Sequence, residues 1–459
     1  MLQIIVLAGL GVLAMISEVL NFRKAMPFLT ILGIVIAIAM GVIHWTDYKS
    51  WFSNMMADDA FSHATIFITS ILFLLWLVLF RDVFREEKSI SDYTALICFA
   101  MVGGFMMLSF SNLAMLFLGI EILSIPVYVL AGSNKRSLKS NESAFKYFIM
   151  GAFASGILLF GMTFVYGATG SFDLAAISQA YQNNSSELPV YFNLGILLII
   201  FALSFKISAV PFHYWTPDVY EGAPTSITAF MSTLVKAFAV LGTFRLFDTI
   251  FGDISHTHVS GIAAMAALTM VVGNVLGAIQ DNAKRTLAYS SIGHAGFMLL
   301  AILIGGRQGA QSLLYYVAAY SLASLLAFYV MKKVVREDDF YQSIGDFAGL
   351  FKRNSLLAIG MIIALLSMAG IPPLSGFFAK YFIFAACFKN GYAWLVFVAV
   401  ISSLIGVYYY FKFIINMFKS NDDKSMIDIS SFDRIVICIM IGLIIIVGLV
   451  PDSIIQLIG

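Results

Sequence analysis

The sequence predicts an all-α polytopic membrane protein of fourteen transmembrane helices, in which helices 4–8 and 9–13 form two inverted five-helix repeats and helices 7 and 12 are broken. Three observations carry this reading. The 459-residue chain is 60% hydrophobic and only 12% charged, with mean hydropathy +0.92. Soluble globular chains carry about 25% charged residues, so half the usual polar coat is missing. That excludes a soluble enzyme, a nucleic-acid binder and a disordered scaffold. The apolar residues fall in segments long enough for helices, which need ~20 residues per crossing, and the ~10-residue alternation of β-barrel strands is absent. Basic residues gather in alternate connections.

The spans run near 2–20, 26–43, 61–80, 92–109, 112–131, 143–166, 191–212, 225–244, 259–279, 286–304, 310–331, 355–385, 391–416 and 433–450. In the first, the apolar run precedes Arg23 and Lys24, the reverse of a cleavable signal peptide, so it reads as an uncleaved span. Arg81, Arg85 and Lys88 follow the third span; Lys135, Arg136 and Lys139 follow the fifth; Lys284 and Arg285 follow the ninth. Lys332, Lys333, Arg336, Lys352 and Arg353 follow the eleventh, and Lys412, Lys419, Lys424 and Arg434 the thirteenth. The opposite side holds only Lys49, Arg245, Arg307 and Lys389. The positive-inside rule then places both termini on the outer face. Cys98, Cys387 and Cys438 lie in apolar runs at unrelated spacings, which makes neither a disulfide framework nor a metal or iron–sulfur cradle.

Ionisable side chains inside spans carry the functional signal. Glu121, Lys146, Lys206, Lys236 and Lys380 all lie in apolar segments. Each costs roughly 2.5–3.5 kcal/mol on insertion scales and needs a reason. Glu121 sits about 12 Å along its helix from Leu113, near mid-membrane. Lys206 and Lys236 are likewise deep, and Lys380 follows Pro372-Pro373 in the twelfth span. Two readings compete, an ion pathway and a static buried ion pair, and position favours the pathway. Lys146 lies near a span end, four residues after Glu142, where snorkelling or an i,i+4 pair also explains it. His294 divides between a hydrogen-bonded core histidine and a proton relay. His44, His63, His256 and His258 fall in connections or at a span end and are assigned nothing.

Pro211 and Pro372-Pro373 interrupt spans seven and twelve. Proline removes a backbone donor, and the freed groups must face protein or water at membrane depth. The breaks lie five spans apart. An odd offset makes any repeat of that period inverted, and interrupted segments in corresponding places point to a transport site.

The stretch Phe205-Lys206-Ile207-Ser208-Ala209-Val210-Pro211-Phe212-His213-Tyr214-Trp215-Thr216-Pro217-Asp218-Val219-Tyr220-Glu221-Gly222-Ala223-Pro224 resembles the signature of the antiporter-like subunits of respiratory complex I, the proton-translocating NADH:quinone oxidoreductase. Leu287-Ala288-Tyr289-Ser290-Ser291-Ile292-Gly293-His294 and Ala369-Gly370-Ile371-Pro372-Pro373 with Lys380 resemble further family blocks. Of the three branches, M-type subunits carry a glutamate in place of Lys380, and L-type subunits continue into a lateral helix after span fourteen. The chain is most similar to the third, N-type branch. The resemblance implies a non-redox membrane subunit of a bacterial inner-membrane translocase, with both termini periplasmic. It also implies a pathway of Glu121 and Lys206 as an interacting pair, Lys236 as central relay and Lys380 toward the outer exit, with Lys146 and His294 as further members. No cofactor or metal is expected in this chain; NADH, FMN, iron–sulfur clusters and quinone belong to other subunits. Expected partners are the lipid bilayer, the antiporter-like subunit M and the small subunit K. The organisation expected is a three-helix region (1–91), a first half (92–250), a second, inverted half (251–418) and a C-terminal helix (419–459). Subunits of multisubunit cation/proton antiporters and of related membrane hydrogenases remain alternatives on the same fold.

Overall fold

In hydrocarbon no water can satisfy a backbone N–H or C=O, so each apolar run must close its own hydrogen bonds as a helix. The computed structural model describes residues 1–84, 90–184, 188–251, 256–335, 342–419 and 425–458. Arg85, Lys88, Arg336 and Lys424, used above to orient the chain, lie outside the described residues. The first helices are α1 (Leu2–Val19), α2 (Met26–Ile43), α3 (Ala60–Leu79), α4 (Ile90–Ser109), α5 (Leu113–Ala131) and α6 (Leu138–Thr169). There follow α7 (Leu174–Asn184), α8 (Val190–Ile207), α9 (Trp215–Gly222), α10 (Thr225–Phe251), α11 (His256–Ala278), α12 (Ala283–Ile304) and α13 (Gly306–Val334). The last are α14 (Ser355–Ala369), α15 (Ser375–Lys389), α16 (Ala393–Phe418) and α17 (Ser431–Leu449). A small hairpin pairs Lys49–Trp51 with Met56–Asp58.

Among the described residues, thirteen helices are long and apolar enough to cross a membrane. The expected twelfth span is instead two shorter helices, α14 and α15, on either side of Pro372-Pro373. The apolar windows of α10 and α13 are wholly buried, and that of α12 nearly so, while those of α1, α2, α6, α11, α16 and α17 are buried over less than half their length. Phe145, Phe153 and Phe160 on α6 are among the exposed apolar side chains. Of the ionisable residues that the sequence analysis places inside spans, Lys236 lies on one of these three buried helices.

Both helix breaks are built alike. The chain leaves α8 through Ser208 and leaves α14 through Gly370, each left-handed, and each departure is followed by a cis X-Pro bond, Val210-Pro211 or Pro372-Pro373. The starts of α5 and α12 also match. Asn112 and Asn282 cap them through their side chains, accepting from the amides of Ala114 and Arg285 at 2.9 and 3.0 Å. Leu113 N donates to Phe172 O and Leu174 N to Ser111 O; Ala283 N donates to Gln342 O and Ile344 N to Asp281 O, at the same spacing along the chain.

Contacts at the two ends of the bundle separate its faces. On one face the Met1 amino group bonds Asp58, Asp59 bonds Arg245, Asp248 accepts from Gly306 N, and Gln311 donates to Ile458 O. Both chain ends thus lie on that face. On the other, Lys333 contacts Asp433 at 3.0 Å and Asp82 at 3.6 Å, and Tyr329 donates to Asp433 at 2.6 Å.

Arg245, assigned from sequence to a connection, lies inside α10 and is buried. Its guanidinium holds both Asp59 oxygens, at 3.1 and 2.7 Å, and donates to Phe110 O at 2.7 Å. That ties the start of α3 and the turn between α4 and α5 to a central helix. Arg245→Ala removes a forked, charge-assisted contact and is expected to destabilise the fold by about 2 kcal/mol. Arg245→Lys should recover only part of this, because an ammonium cannot span both oxygens. Thermal unfolding of the detergent-solubilised chain measures both; equal midpoints for wild type and Arg245→Ala would show the contact to be idle.

Candidate functional site

Of the four deep ionisable residues, Lys236 sits on a central helix, Lys206 and Lys380 beside the two helix breaks and Glu121 on α5, and none forms an ion pair within 4 Å among the described residues. Lys236 follows a wide π-type turn over Met231–Val235 in α10. Such turns are rare and gather at functional sites. Its ammonium donates to the Ser291 carbonyl at 2.8 Å and to the Ser291 hydroxyl, and the residue is 2% exposed.

Lys380, on α15, is 8% exposed and donates to Ala369 O at 2.8 Å and Ser403 Oγ at 2.8 Å. The carbonyl of Ala369 would normally accept from residue 373, which is a proline without an N–H. The lysine therefore fills the vacancy that the helix break creates. At the other break the Trp215 indole donates to Phe205 O at 3.0 Å, and Val210 N donates to Thr269 Oγ1 at 2.9 Å.

Lys206, near the C-terminal end of α8, donates to Ser124 Oγ at 2.8 Å and Tyr128 OH at 3.0 Å, both on α5. Glu121 is on the same helix, one turn before Ser124, and accepts from Ser155 Oγ of α6. The structure thus sets the Lys206 ammonium against α5, the helix of Glu121, with no ion pair between the two, and Ser124 occupies the position at the ammonium. Pro126 lies inside α5, between these groups, and leaves the Ile122 carbonyl without its helical donor. Sequence reading passed over it because α5 stays continuous through it.

His294 is 5% exposed and lies between two phenols, with Nδ1 2.6 Å from Tyr316 OH and Nε2 3.2 Å from Tyr410 OH. It belongs to the polar interior, on the same helix as Ser291.

Lys146 is set apart from these. It pairs with Glu142 at 2.7 Å, as the i,i+4 reading allows, and also with Asp218 at 2.8 Å. Arg285 bridges Asp218 at 2.8 Å and Glu221 at 2.9 Å, and Lys139 pairs with Glu221 at 2.8 Å. These side chains line an open cavity of about 140 Å³, large enough for several waters. Asp218 and Glu221, on α9 beyond the apolar run, were not singled out from sequence, since near an interface a carboxylate reads as solvated. Their partners come from α6 and α12, distant in the chain. Burial raises the Asp218 carboxyl, but hydrogen bonds from Lys146 and Arg285 outweigh it and hold the group below its ordinary value. Glu221 is likewise raised by burial and brought lower by Lys139 and Arg285. No group of three or more His, Cys, Asp or Glu among the described residues is placed to hold a metal ion.

Comparison with known proteins gives consistent matches. The family model described as NADH:quinone oxidoreductase/Mrp antiporter, TM, matches residues 111–406. A protein from Cytophaga hutchinsonii named NADH-quinone oxidoreductase subunit N is 41% identical, covering 99% of this chain and 98% of its own. One of the same name from Flavobacterium johnsoniae is 42% identical, covering 99% of each. Among solved structures, a chain of respiratory complex I from Thermus thermophilus with bound aureothin superposes with TM-score 0.85 at 29% identity, covering 99% of this chain and 98% of that one. A chain of the Mrp complex from Dietzia sp. DQ12-45-1b shares the fold, with TM-score 0.85 at 19% identity, covering 100% of this chain and 96% of that one.

Two consequences of the charged cavity can be measured. Asp218→Asn leaves Lys146 and Arg285 facing each other across a lost anion, whereas Glu142→Gln leaves Lys146 its Asp218 partner. Asp218→Asn should therefore lower the unfolding midpoint more, by about 2 °C. Carboxyls held low in the fold contribute fully above their ordinary values and lose that contribution as pH falls through the folded values. The difference between wild type and Asp218→Asn should begin to shrink only as pH falls below about 4 and should vanish at the acid extreme, below the depressed folded value; a difference that stays constant throughout that fall would rule out ionised Asp218 as its source.

Proposed function

The chain belongs to the NADH:quinone oxidoreductase/Mrp antiporter family of membrane subunits, and from that premise we propose that it is the N-type, proton-translocating membrane subunit of a bacterial NADH:quinone oxidoreductase. Full-length identity of 41–42% to relatives of that name supports this over a cation/proton exchanger subunit, which shares the family model but whose solved chain, at 19% identity, matches in fold. In this reading α1–α6, α8, α10–α13, α14 with α15 counted as one, α16 and α17 form fourteen crossings, in two inverted halves. The basic face is cytoplasmic and the termini are periplasmic. The neighbours are an M-type antiporter-like subunit and a small K-type subunit, and redox groups and quinone sit in other subunits.

One observation carries the pathway: Lys206, Lys236 and Lys380 are bonded to hydroxyls and carbonyls, not to carboxylates. A static ion pair would put an anion beside each cation. Neutral oxygens can accept from an ammonium or donate, in the case of a hydroxyl, to a neutral amine. They therefore serve both protonation states, and desolvated lysine gives up its proton readily. Glu121 acts on Lys206 through the serine-lined surface of α5, so its charge biases which lysine holds a proton. Lys146 and the cavity around it form the cytoplasmic approach. His294 lies between Lys236 and Lys380, and Lys380 delivers the proton outward. Quinone reduction elsewhere in the complex supplies the driving energy.

Lys236→Met should lower proton uptake per quinone reduced by roughly tenfold or more in vesicles, with normal assembly on native gels. Unchanged pumping would reduce Lys236 to packing. Lys380→Arg should lose most pumping while Lys419→Arg, at an exposed site, keeps it, because arginine retains its proton. Near-normal pumping by assembled Lys380→Arg would leave Lys380 a fixed cation. Glu121→Gln should slow coupled turnover more than Glu142→Gln, whose side chain is exposed; equal effects would remove Glu121 from the path.

A further inference from the structure

Among the described residues, the route between Lys236 and Lys380 in the second half holds no charged side chain, only hydroxyls and one imidazole. Ser291 bonds Lys236, and its neighbour Ser290 bonds the Tyr410 hydroxyl. Tyr410 OH also lies 3.2 Å from His294 Nε2, and His294 Nδ1 lies 2.6 Å from Tyr316 OH. Ser290, His294, Tyr316 and Tyr410 are each 5% exposed or less. Beyond Tyr316 is a cavity of about 10 Å³, room for one water, lined by His294, Tyr316, Tyr320, Ser367, Met368 and Gly376. Ser367 and Gly376 flank the break whose Ala369 carbonyl accepts from Lys380.

The two halves differ at matched positions. At the same distance from its capping asparagine, α12 carries Ser291 where α5 carries Glu121, and His294 where α5 carries Ser124. The first half meets its lysine with a carboxylate nearby. The second offers a neutral hydrogen-bonded chain.

We propose that Tyr410 and Tyr316 are relay hydroxyls that carry the proton across the second half, with His294 passing it between them. This rests on the pathway of the preceding section. A neutral imidazole donates from one nitrogen and accepts at the other, so the two phenols on it must point in the same sense along the chain. In one transfer Tyr410 gives its proton to Nε2 and takes one from the Lys236 side through Ser290. The Nδ1 proton moves to Tyr316, whose own proton leaves to the cavity. One proton arrives and one departs, and only O–H and N–H bonds change. Afterwards every hydrogen bond in the chain points the other way, and a second proton waits until the groups have turned back. Phenylalanine fills the same space but can neither donate nor accept.

The test uses the assembled complex in vesicles, comparing Tyr316→Phe, Tyr410→Phe, Lys236→Met and Tyr315→Phe. Tyr315 is next to Tyr316 on α13, but its hydroxyl donates to Val447 O at 2.9 Å and serves the tail helix. The expected result is that Tyr316→Phe and Tyr410→Phe each lower proton uptake roughly fivefold or more and raise the solvent deuterium isotope effect, while Tyr315→Phe changes neither. Normal uptake in Tyr316→Phe and Tyr410→Phe together with lost uptake in Lys236→Met would overturn the relay and leave the pathway standing. Normal uptake in Lys236→Met would overturn the pathway itself. Should the phenylalanine variants fail to assemble, a fluorinated tyrosine placed at 316 keeps the shape and makes the phenol more acidic. A relay then changes the pumping rate, and an unchanged rate would overturn the proposal.

Discussion

An ammonium group withdrawn from water is tolerated only where other oxygens replace its hydration, and so much of this structure is arranged to supply them. The same membrane interior forbids orphaned backbone carbonyls. At the second break the two demands meet. Pro373 deprives the Ala369 carbonyl of its donor, and Lys380 takes the donor's place. Neither defect is sound alone, because removing the lysine leaves a bare carbonyl and repairing the helix leaves a bare ammonium. The first break is solved differently, with an indole on Phe205 O and a threonine on Val210 N. Lys206 is thereby free to reach across to α5.

The fold was largely legible because hydrocarbon imposes length and composition on every crossing. Segments such as 61–80 and 433–450 map onto α3 and α17 with small shifts at their ends. Pro211 and the pair Pro372-Pro373, which interrupt spans seven and twelve, do interrupt helices. Details that depend on hydrogen bonding and not on hydropathy were hidden. The turn over Met231–Val235 has no residue that demands it, and Pro126 sits in a helix whose neighbours hold it straight enough to continue. Arg245 reads as a connection residue because a single cation near a span end looks solvated. Only tertiary structure brings Asp59 and Phe110 to it.

At the site, sequence gave depth but not partners. Helical spacing put Glu121 and Lys206 at similar depth, yet Ser124 shares the face of Glu121 one turn on, and an aimed lysine meets whichever is nearer. For Lys146, the local partner Glu142 was readable at i,i+4 and the remote partner Asp218 was not. His294 was recognised as polar in an apolar run, but its two phenols come from α13 and α16, which no local pattern connects.

The ties at opposite ends of α3 have a mechanical consequence. Its start is fastened to α10 through Asp59 and Arg245, and the segment just past its end to α13 and α17 through Asp82, Lys333 and Asp433. A rod pinned at both ends, in each case to a wholly buried helix (α10 or α13), resists tilting and sliding alike. Compliance is therefore left to the helices cut in mid-course, α8 and α14 with α15, whose inner ends stop short of the far face. Strain imposed by a neighbouring subunit on the flank of the bundle would be absorbed at those free ends, beside Lys206 and Lys380, while the rod and its anchors keep their register.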